Sequence, residues 1–297
     1  GALGSLILGA VLFPFFIYIM DYLAPTVQSI VGYLLIVVVV YMAGREKGRR
    51  LKTIAIIFFA GVLGIVVFQI PNLEQPLFHL LSGLFGLSLL VMSVGENTTV
   101  PAQLFHAPLT LSRTNSVKAV TSATGVGFIA AFLPGFGSSQ AAILATNVVG
   151  DIGDEGFLAL VGGINTANVL LSIAAVYVLD KARNGAIVTV QSFLGDVSFE
   201  VMMIFLGCAL VAGALATLLT LRISRIFAVF ISRVNYPLLV KSIIIFIVAL
   251  SFFFDGILGL VVLGTATALG VLASVLNVGK NHLLACLIVP VILYCDL

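Results

Sequence analysis

Residues 53–71 read TIAIIFFAGVLGIVVFQIP, a run without one charged side chain. At about 1.5 Å per residue, a helix of that length crosses a hydrocarbon core roughly 30 Å thick. Working outward, comparable apolar runs lie at about 2–20, 25–43 and 76–95 on either side of it, and at 201–221, 236–254 and 257–278 in the last third of the chain. A shorter one closes the sequence at 283–297. The chain of 297 residues is 61% hydrophobic and only 9% charged, where an ordinary soluble domain carries about 25% charged residues. It lacks the polar surface to fold in water, so its solvent is the lipid bilayer. In lipid the backbone must satisfy its own hydrogen bonds. These runs therefore predict an all-α polytopic membrane protein with about ten to eleven transmembrane or half-membrane helices.

The middle of the chain, about 119–197, is different. Gly, Pro, Ser, Thr and Asn stand there at places where a plain spanning helix carries Leu or Val. In Leu133-Pro134-Gly135-Phe136-Gly137-Ser138-Ser139-Gln140, Pro134 removes a backbone donor, and Gly135 and Gly137 admit conformations closed to other residues. The helix should break there and restart at Ser138. Non-helical backbone at membrane depth persists where it is buried in protein or lines a wet cavity. The restarted helix would also present free N–H groups to an anion. A kink used only for packing is the competing reading.

A second cluster, Gly162-Gly163-Ile164-Asn165-Thr166-Ala167-Asn168, occupies the centre of the run 156–179. Asn165 and Asn168 are three residues apart and share a helix face. They either hydrogen-bond a neighbouring helix or offer their carbonyl oxygens to a substrate or to Na⁺. The adjacent glycines let another backbone approach. Thr189, Gln191 and Ser192, ahead of Gly195-Asp196, form a weaker cluster of the same kind. Thr121, Ser122, Thr124, Gly125 and Gly127 read as close-packing positions on the approach to Pro134.

Charge sets orientation rather than partner, because a net charge of +2 is too small to imply nucleic acid. With Arg45, Lys47, Arg49, Arg50 and Lys52 on the cytoplasmic side, alternation brings Arg113 and Lys118 there too. A single crossing at 119–150 then puts Asp151, Asp154 and Glu155 outside, and a return through 156–179 puts Lys181 and Arg183 inside. Arg222, Arg225, Arg233, Lys241 and Lys280 join them, so all 14 basic residues share one side. A re-entrant hairpin at 119–150 would reverse every later crossing. Cys208, Cys286 and Cys295 sit in apolar runs and read as packing residues. His79, His106 and His282 have no partner at metal or catalytic spacing and read as structural.

With Leu133–Gln140 followed by Gly162–Asn168, the segment from about 116 to 200 resembles the large permease subunit, of TctA type, of the tripartite tricarboxylate transporters, archaeal relatives included. The family carries a Pro-Gly-x-Gly break in each of two related halves, whereas this sequence has one. The resemblance implies that 1–115 is the remainder of a first repeat, four scaffold helices plus a cytoplasmic linker, whose own break lies upstream of Gly1. Residues 116–200 would then be the broken-helix transport core of the second repeat, and 201–297 its scaffold helices. It further implies a small organic anion, a di- or tricarboxylate, as substrate. Na⁺ or H⁺ would be the coupling ion, with no other cofactor. A small membrane subunit and an extracytoplasmic solute-binding protein would be partners, although archaeal-type members can dispense with them. A homodimer and the plasma membrane of a prokaryote complete the expectation.

The broken segments hold no Lys or Arg, so helix N-termini and backbone amides would have to bind the anion, as in transporters built from discontinuous helices. Pro134, Gly135, Gly137, Ser138, Ser139, Gln140, Asn165, Thr166 and Asn168 are the expected substrate-binding residues, with Na⁺ near Asn165 and Asn168. The alternatives are a channel or structural membrane subunit and, further off, an intramembrane enzyme. Gly150-Asp151, Gly153-Asp154 and Gly195-Asp196 lack the preceding glycine of an intramembrane aspartyl protease, and no His-Glu-x-x-His, nucleophile elbow or Asp-rich motif occurs.

Overall fold

A computed structural model describes residues 1–45, 48–94, 111–132, 138–179, 185–195, 197–231 and 234–294. Among the described residues the chain is helical and contains no strand. Its helices are α1 (Ala2–Val11), α2 (Phe13–Arg45), α3 (Arg50–Gln69), α4 (Pro76–Leu81), α5 (Ser88–Val94), α6 (Arg113–Phe132) and α7 (Ser138–Val149), followed by α8 (Gly153–Leu179), α9 (Gly185–Leu194), α10 (Phe199–Ile231), α11 (Tyr236–Val275) and α12 (Ala285–Tyr294). A π-helical turn, Ser82–Leu87, joins α4 to α5, and a 3-10 turn, Lys280–Leu284, leads into α12. Five described helices are long and apolar enough to cross a bilayer: α3, Pro76–Val94, α8, α10 and α11. The protein is a polytopic all-α membrane protein.

The expected runs 2–20 and 25–43 divide elsewhere. The helix axis bends by 68° between Ala2–Val11 and Phe13–Thr26, then stays helical through Pro25. Pro14 supplies the reason, since its missing N–H and its ring cannot continue the ladder back to Ala10, whereas Pro is well tolerated in the first turn of a new helix.

The helices gather into two compact units, one of Gly1–Val31 with Leu104–Ile226 and the other of Gly32–Gln103 with Phe227–Leu297. In the first unit, α1, α6 and α8 lie side by side. A Cβ placed on Gly163 would stand 2.7 Å from Ala123 Cβ, and one on Gly127 would stand 2.6 Å from Ala167 Cβ. Each helix advances four residues between these two contacts, so α6 and α8 run parallel. Gly4 against Val120 and Gly9 against Leu170 bring α1 into the same direction. Further along, α10 runs the other way, from Phe199, whose ring lies 6.0 Å from that of Tyr177, to Gly213, which faces Leu6. Phe13, Met20, Leu170, Leu171 and Met202 fill the space between.

This register corrects the single crossing expected at 119–150. Because α6 and α8 start at the same end, α7, packed against both, brings the chain back. Residues 113–149 therefore enter and leave by one end, and Asp151, Asp154 and Glu155 share the end of Arg113 and Lys118 instead of opposing it. Extending the Gly127–Ala167 register puts Phe132 level with Ser172, about 10 Å short of where α8 ends at Leu179. The chain thus leaves α8 at the end opposite Arg113. Lys181 and Arg183, expected back on the Arg113 side, lie outside the described residues.

In the second unit α11 is 40 residues long, about 60 Å if straight, twice what a bilayer needs. It is not straight. Asp255 (φ −132°, ψ 16°) and Gly256 (φ 56°, ψ −138°) leave the helical region, the latter in a conformation that favours glycine. A Cβ on Gly259 would lie 2.8 Å from the carbonyl oxygen of Ser251, eight residues earlier and about 12 Å away along an unbroken helix. The chain doubles back here, between the runs 236–254 and 257–278 read from the sequence. Residues 76–94 follow its second half, with Gly83 on Ala266 and Gly270 on Ser88.

At the far end of this unit Arg49 Nη1 donates to Asn277 O at 2.7 Å, placing a cation on the carbonyl end of α11. Lys280 Nζ donates to Ser88 Oγ at 2.9 Å. Arg49 and Lys280 thus lie at one end and the Asp255 turn at the other. Cys286 is buried against Gly64, whereas Cys208 is exposed rather than packed, and Cys295 lies outside the described residues.

Candidate functional site

Among the described residues, polar groups come together in each of the two units. In the first unit α7 begins at Ser138, the restart point expected from the sequence, while Leu133, Pro134, Gly135, Phe136 and Gly137 lie outside the described residues. Ser138 is half-buried, and Ser139 and Gln140 continue the first turn of α7. Behind them α7 packs on Ala141, Ala142 and Ala145, all buried.

Beside this hairpin, α8 carries Asn165, Thr166 and Asn168. Thr166 Oγ1 donates to Gly162 O at 3.0 Å, so its hydroxyl is taken up within its own helix. Asn168 contributes its backbone oxygen to Ser172 Oγ at 2.6 Å. Asn165 is exposed and Asn168 half-buried, and neither side-chain amide has a hydrogen-bond partner among the described residues. The helix–helix bond open to them is therefore not made by described residues. Gly163 and Gly127 provide the close approach expected of the small residues, and Thr124 is buried with its hydroxyl donating to Val120 O. Thr121 and Gly125, also expected to pack, are exposed.

The third cluster lies on α9, a helix of 10 residues and so about 15 Å long, half a bilayer. Gln191, Ile187 and Val190 line a small apolar cleft with Ile173 and Val176 of α8 and Phe205 of α10. Ser192 Oγ donates to Thr189 O at 2.7 Å, and Gly195, with φ 69°, ends the helix. A hairpin thus enters beside α8 from its N-terminal end, on a first arm, α6, of 20 residues and a shorter return arm, α7, of 12, and the half-length α9 lies against the C-terminal turns of α8.

The second unit holds a constellation that sequence reasoning missed. At the α11 turn, Asp255 Oδ2 stands 2.6 Å from His79 Nε2 and accepts from Gln75 N at 3.1 Å, while Oδ1 accepts from Glu74 N at 2.6 Å. Ser251 Oγ lies 2.9 Å from the other ring nitrogen, His79 Nδ1. His79 and Ser251 are fully buried, and the Asp255 side chain is 1% exposed although its loop partners Glu74 and Gln75 border solvent. Reading His79 as lacking a catalytic-type partner is correct along the sequence and wrong in space. Its carboxylate lies 176 residues away. The one available signal was an aspartate followed by glycine midway through an uninterrupted apolar stretch, in a chain with a second ionisable residue inside another. His282 is buried in the 3-10 turn, and His106 lies outside the described residues.

A family profile described as the tripartite tricarboxylate transporter TctA family matches residues 1–285. An uncharacterized protein of Methanocaldococcus jannaschii is similar at 23% identity over 274 residues, covering 91% of this chain and 67% of the relative. No solved structure matches.

Proposed function

The chain belongs to the tripartite tricarboxylate transporter TctA family, and we propose that it is the permease that carries a small di- or tricarboxylate across the membrane, driven by a cation gradient. Transport and residence in a membrane follow from the family and from the helices; substrate, coupling ion and site are this proposal. The observation that carries it is the pair of amides, Asn165 and Asn168, on one face of α8 without partners among the described residues, beside a hairpin that goes in and returns by the same end. Polar groups among apolar helices are kept where they are used. A carboxylate would take hydrogen bonds from the amide N–H₂ groups and from the first turn of α7 at Ser138, Ser139 and Gln140, where helix N–H groups and the helix dipole favour an anion. Pro134, Gly135 and Gly137 would shape the connection leading into that turn, and Na⁺ would use the amide oxygens.

The family's name denotes a three-part system. A small membrane subunit and an extracytoplasmic solute-binding protein are accordingly the proposed partners, in the plasma membrane of a prokaryote.

The test is counterflow exchange of a labelled tricarboxylate in liposomes, which a carrier performs and a channel does not. N165A/N168A and S139A should each lower exchange at least tenfold while the amount of folded protein stays near that of the parent. Equal loss of exchange and of folded protein would return these residues to packing, and unchanged exchange in N165A/N168A would remove the site.

A further inference from the structure

We infer that His79 and Asp255 form a reversible proton-binding site at the turn of α11, with His79 Nδ1 as the atom that takes the proton and Ser251 as the hydroxyl that answers it.

The hydrogen bonds assign the atoms. Asp255 accepts from three donors, the N–H groups of Glu74 and Gln75 and the ring at Nε2. A carboxyl group so surrounded is an acceptor only, which fixes it as the carboxylate and keeps the Nε2 proton on the imidazole. One titratable position is left, Nδ1, facing Ser251 Oγ at 2.9 Å. In the unloaded state Nδ1 accepts the serine proton. Once loaded, Nδ1 donates to the same oxygen, and the serine proton turns to a main-chain carbonyl one turn back. Helical Ser and Thr elsewhere in the chain, such as Ser88, Thr124 and Ser172, already make that bond. Both states keep every donor and acceptor satisfied, and they differ by one hydroxyl rotation. That separates this cluster from a static ion pair, in which a change of protonation leaves a buried group unpaired.

Charge gives the loading its driving force. The elements packed against α4, which carries the ring, are α3, the π-helical turn and α11. Between Thr53 and Gln69, between Pro76 and Val94, and between Ser242 and Val275, the sequence contains no ionisable acidic or basic side chain except His79 and Asp255 themselves. Glu74, whose N–H bonds the carboxylate, is exposed at the mouth of the loop. Unloaded, the cluster is a lone occluded carboxylate; loaded, it is a neutral pair. An unpaired charge among apolar helices is costly, and a proton removes that cost without any other counter-ion. Access is through Glu74 and Gln75, whose backbones touch the carboxylate and whose residues face solvent. The proton site stands on these bonds alone and does not depend on which solute the chain carries.

The test is a nitrogen-15 NMR titration of the full chain, histidine-labelled and reconstituted in lipid, from pH 4 to 9, with His79 assigned by its loss in H79Q. The expected result is that the His79 Nδ1 resonance moves between its acceptor and its protonated position as a single titration while Nε2 stays protonated throughout. An Nδ1 signal that stays fixed across the range, or an Nε2 that loses its proton within it, overturns the assignment, and a moving Nδ1 with constant Nε2 upholds it.

Discussion

On α8, Asn165 and Asn168 hold out side-chain amides that find no partner among the described residues, whereas at the α11 turn both oxygens of Asp255, both nitrogens of His79 and the hydroxyl of Ser251 are all engaged. Both clusters sit among apolar helices, where a polar group costs free energy until it is hydrogen-bonded. The engaged cluster stabilises the fold by joining the α3–α4 loop, α4 and both halves of α11. The unengaged pair makes no side-chain hydrogen bond to the described residues, and under the proposed function it is kept for the ligand. A polar residue's pairing, more than its presence, tells the two roles apart.

The largest effect on stability belongs to the engaged cluster. D255L leaves the N–H groups of Glu74 and Gln75 and the ring of His79 without their acceptor. A stranded buried donor costs about 1–3 kcal/mol, and less for the loop amides that border water. A loss on the order of 3 kcal/mol is expected, read as a lower midpoint in chemical denaturation of the reconstituted protein. Stability within 0.5 kcal/mol of the parent (about the spread of neutral surface substitutions) would mean that the cluster does not hold the turn, and the comparison would break on that side.

Next comes the packing that sets the α6–α8 register. G163V would drive its side chain into Ala123 Cβ, 2.7 Å from the nearest position a Cβ can take, and into Ser5. Overpacking of this kind costs about 1–3 kcal/mol. Cross-linking of cysteines placed at 119 and 159, one further four-residue step toward the common end along the same faces, should form in the parent if the helices are parallel and fail if they are antiparallel.

How much of this was legible in the sequence divides along the same line. Composition and run length give the all-α membrane fold, because bilayer thickness is a fixed ruler. The turn at Asp255–Gly256 is readable too, since a charge and a glycine interrupt an apolar stretch twice the bilayer thickness. The bend at Leu12 had its signal in Pro14. The hairpin of α6 and α7 could not be read from charge. Helix direction there is set by which small residues interlock, Gly127 with Ala167 and Gly163 with Ala123, and that is a tertiary fact. The His79–Asp255 pair has the same cause, two residues meaningless apart and brought to 2.6 Å by the fold. For the proposed substrate site, the residues on α7 and α8 come from the sequence alone, and the structure adds that the amides of Asn165 and Asn168 have no partner among the described residues.

A smaller effect separates capping from clustering. R49A removes one guanidinium from the carbonyl end of α11, where a cation contributes about 0.3–1 kcal/mol. The loss should shrink as salt is raised, because the site is exposed and screened, while the D255L loss should hardly change with salt. Equal salt sensitivity of the two would show that Asp255 is as open to solvent as Arg49, against its 1% exposure.

The smallest stability effect is expected at the amides themselves. N165A/N168A removes two side chains that bond to no described residue, and Ala favours a helix over Asn by roughly 0.5 kcal/mol per position. Stability should therefore stay level or rise slightly in chemical denaturation, in the same variant whose solute exchange falls. The two measurements are decisive together: a group that costs nothing to remove from the fold and much to remove from transport is held for the solute. A destabilisation of about 1 kcal/mol or more, the ordinary worth of a lost hydrogen bond, would mean that the amides have a protein partner after all, and Asn165 and Asn168 would join Asp255 on the structural side of the comparison.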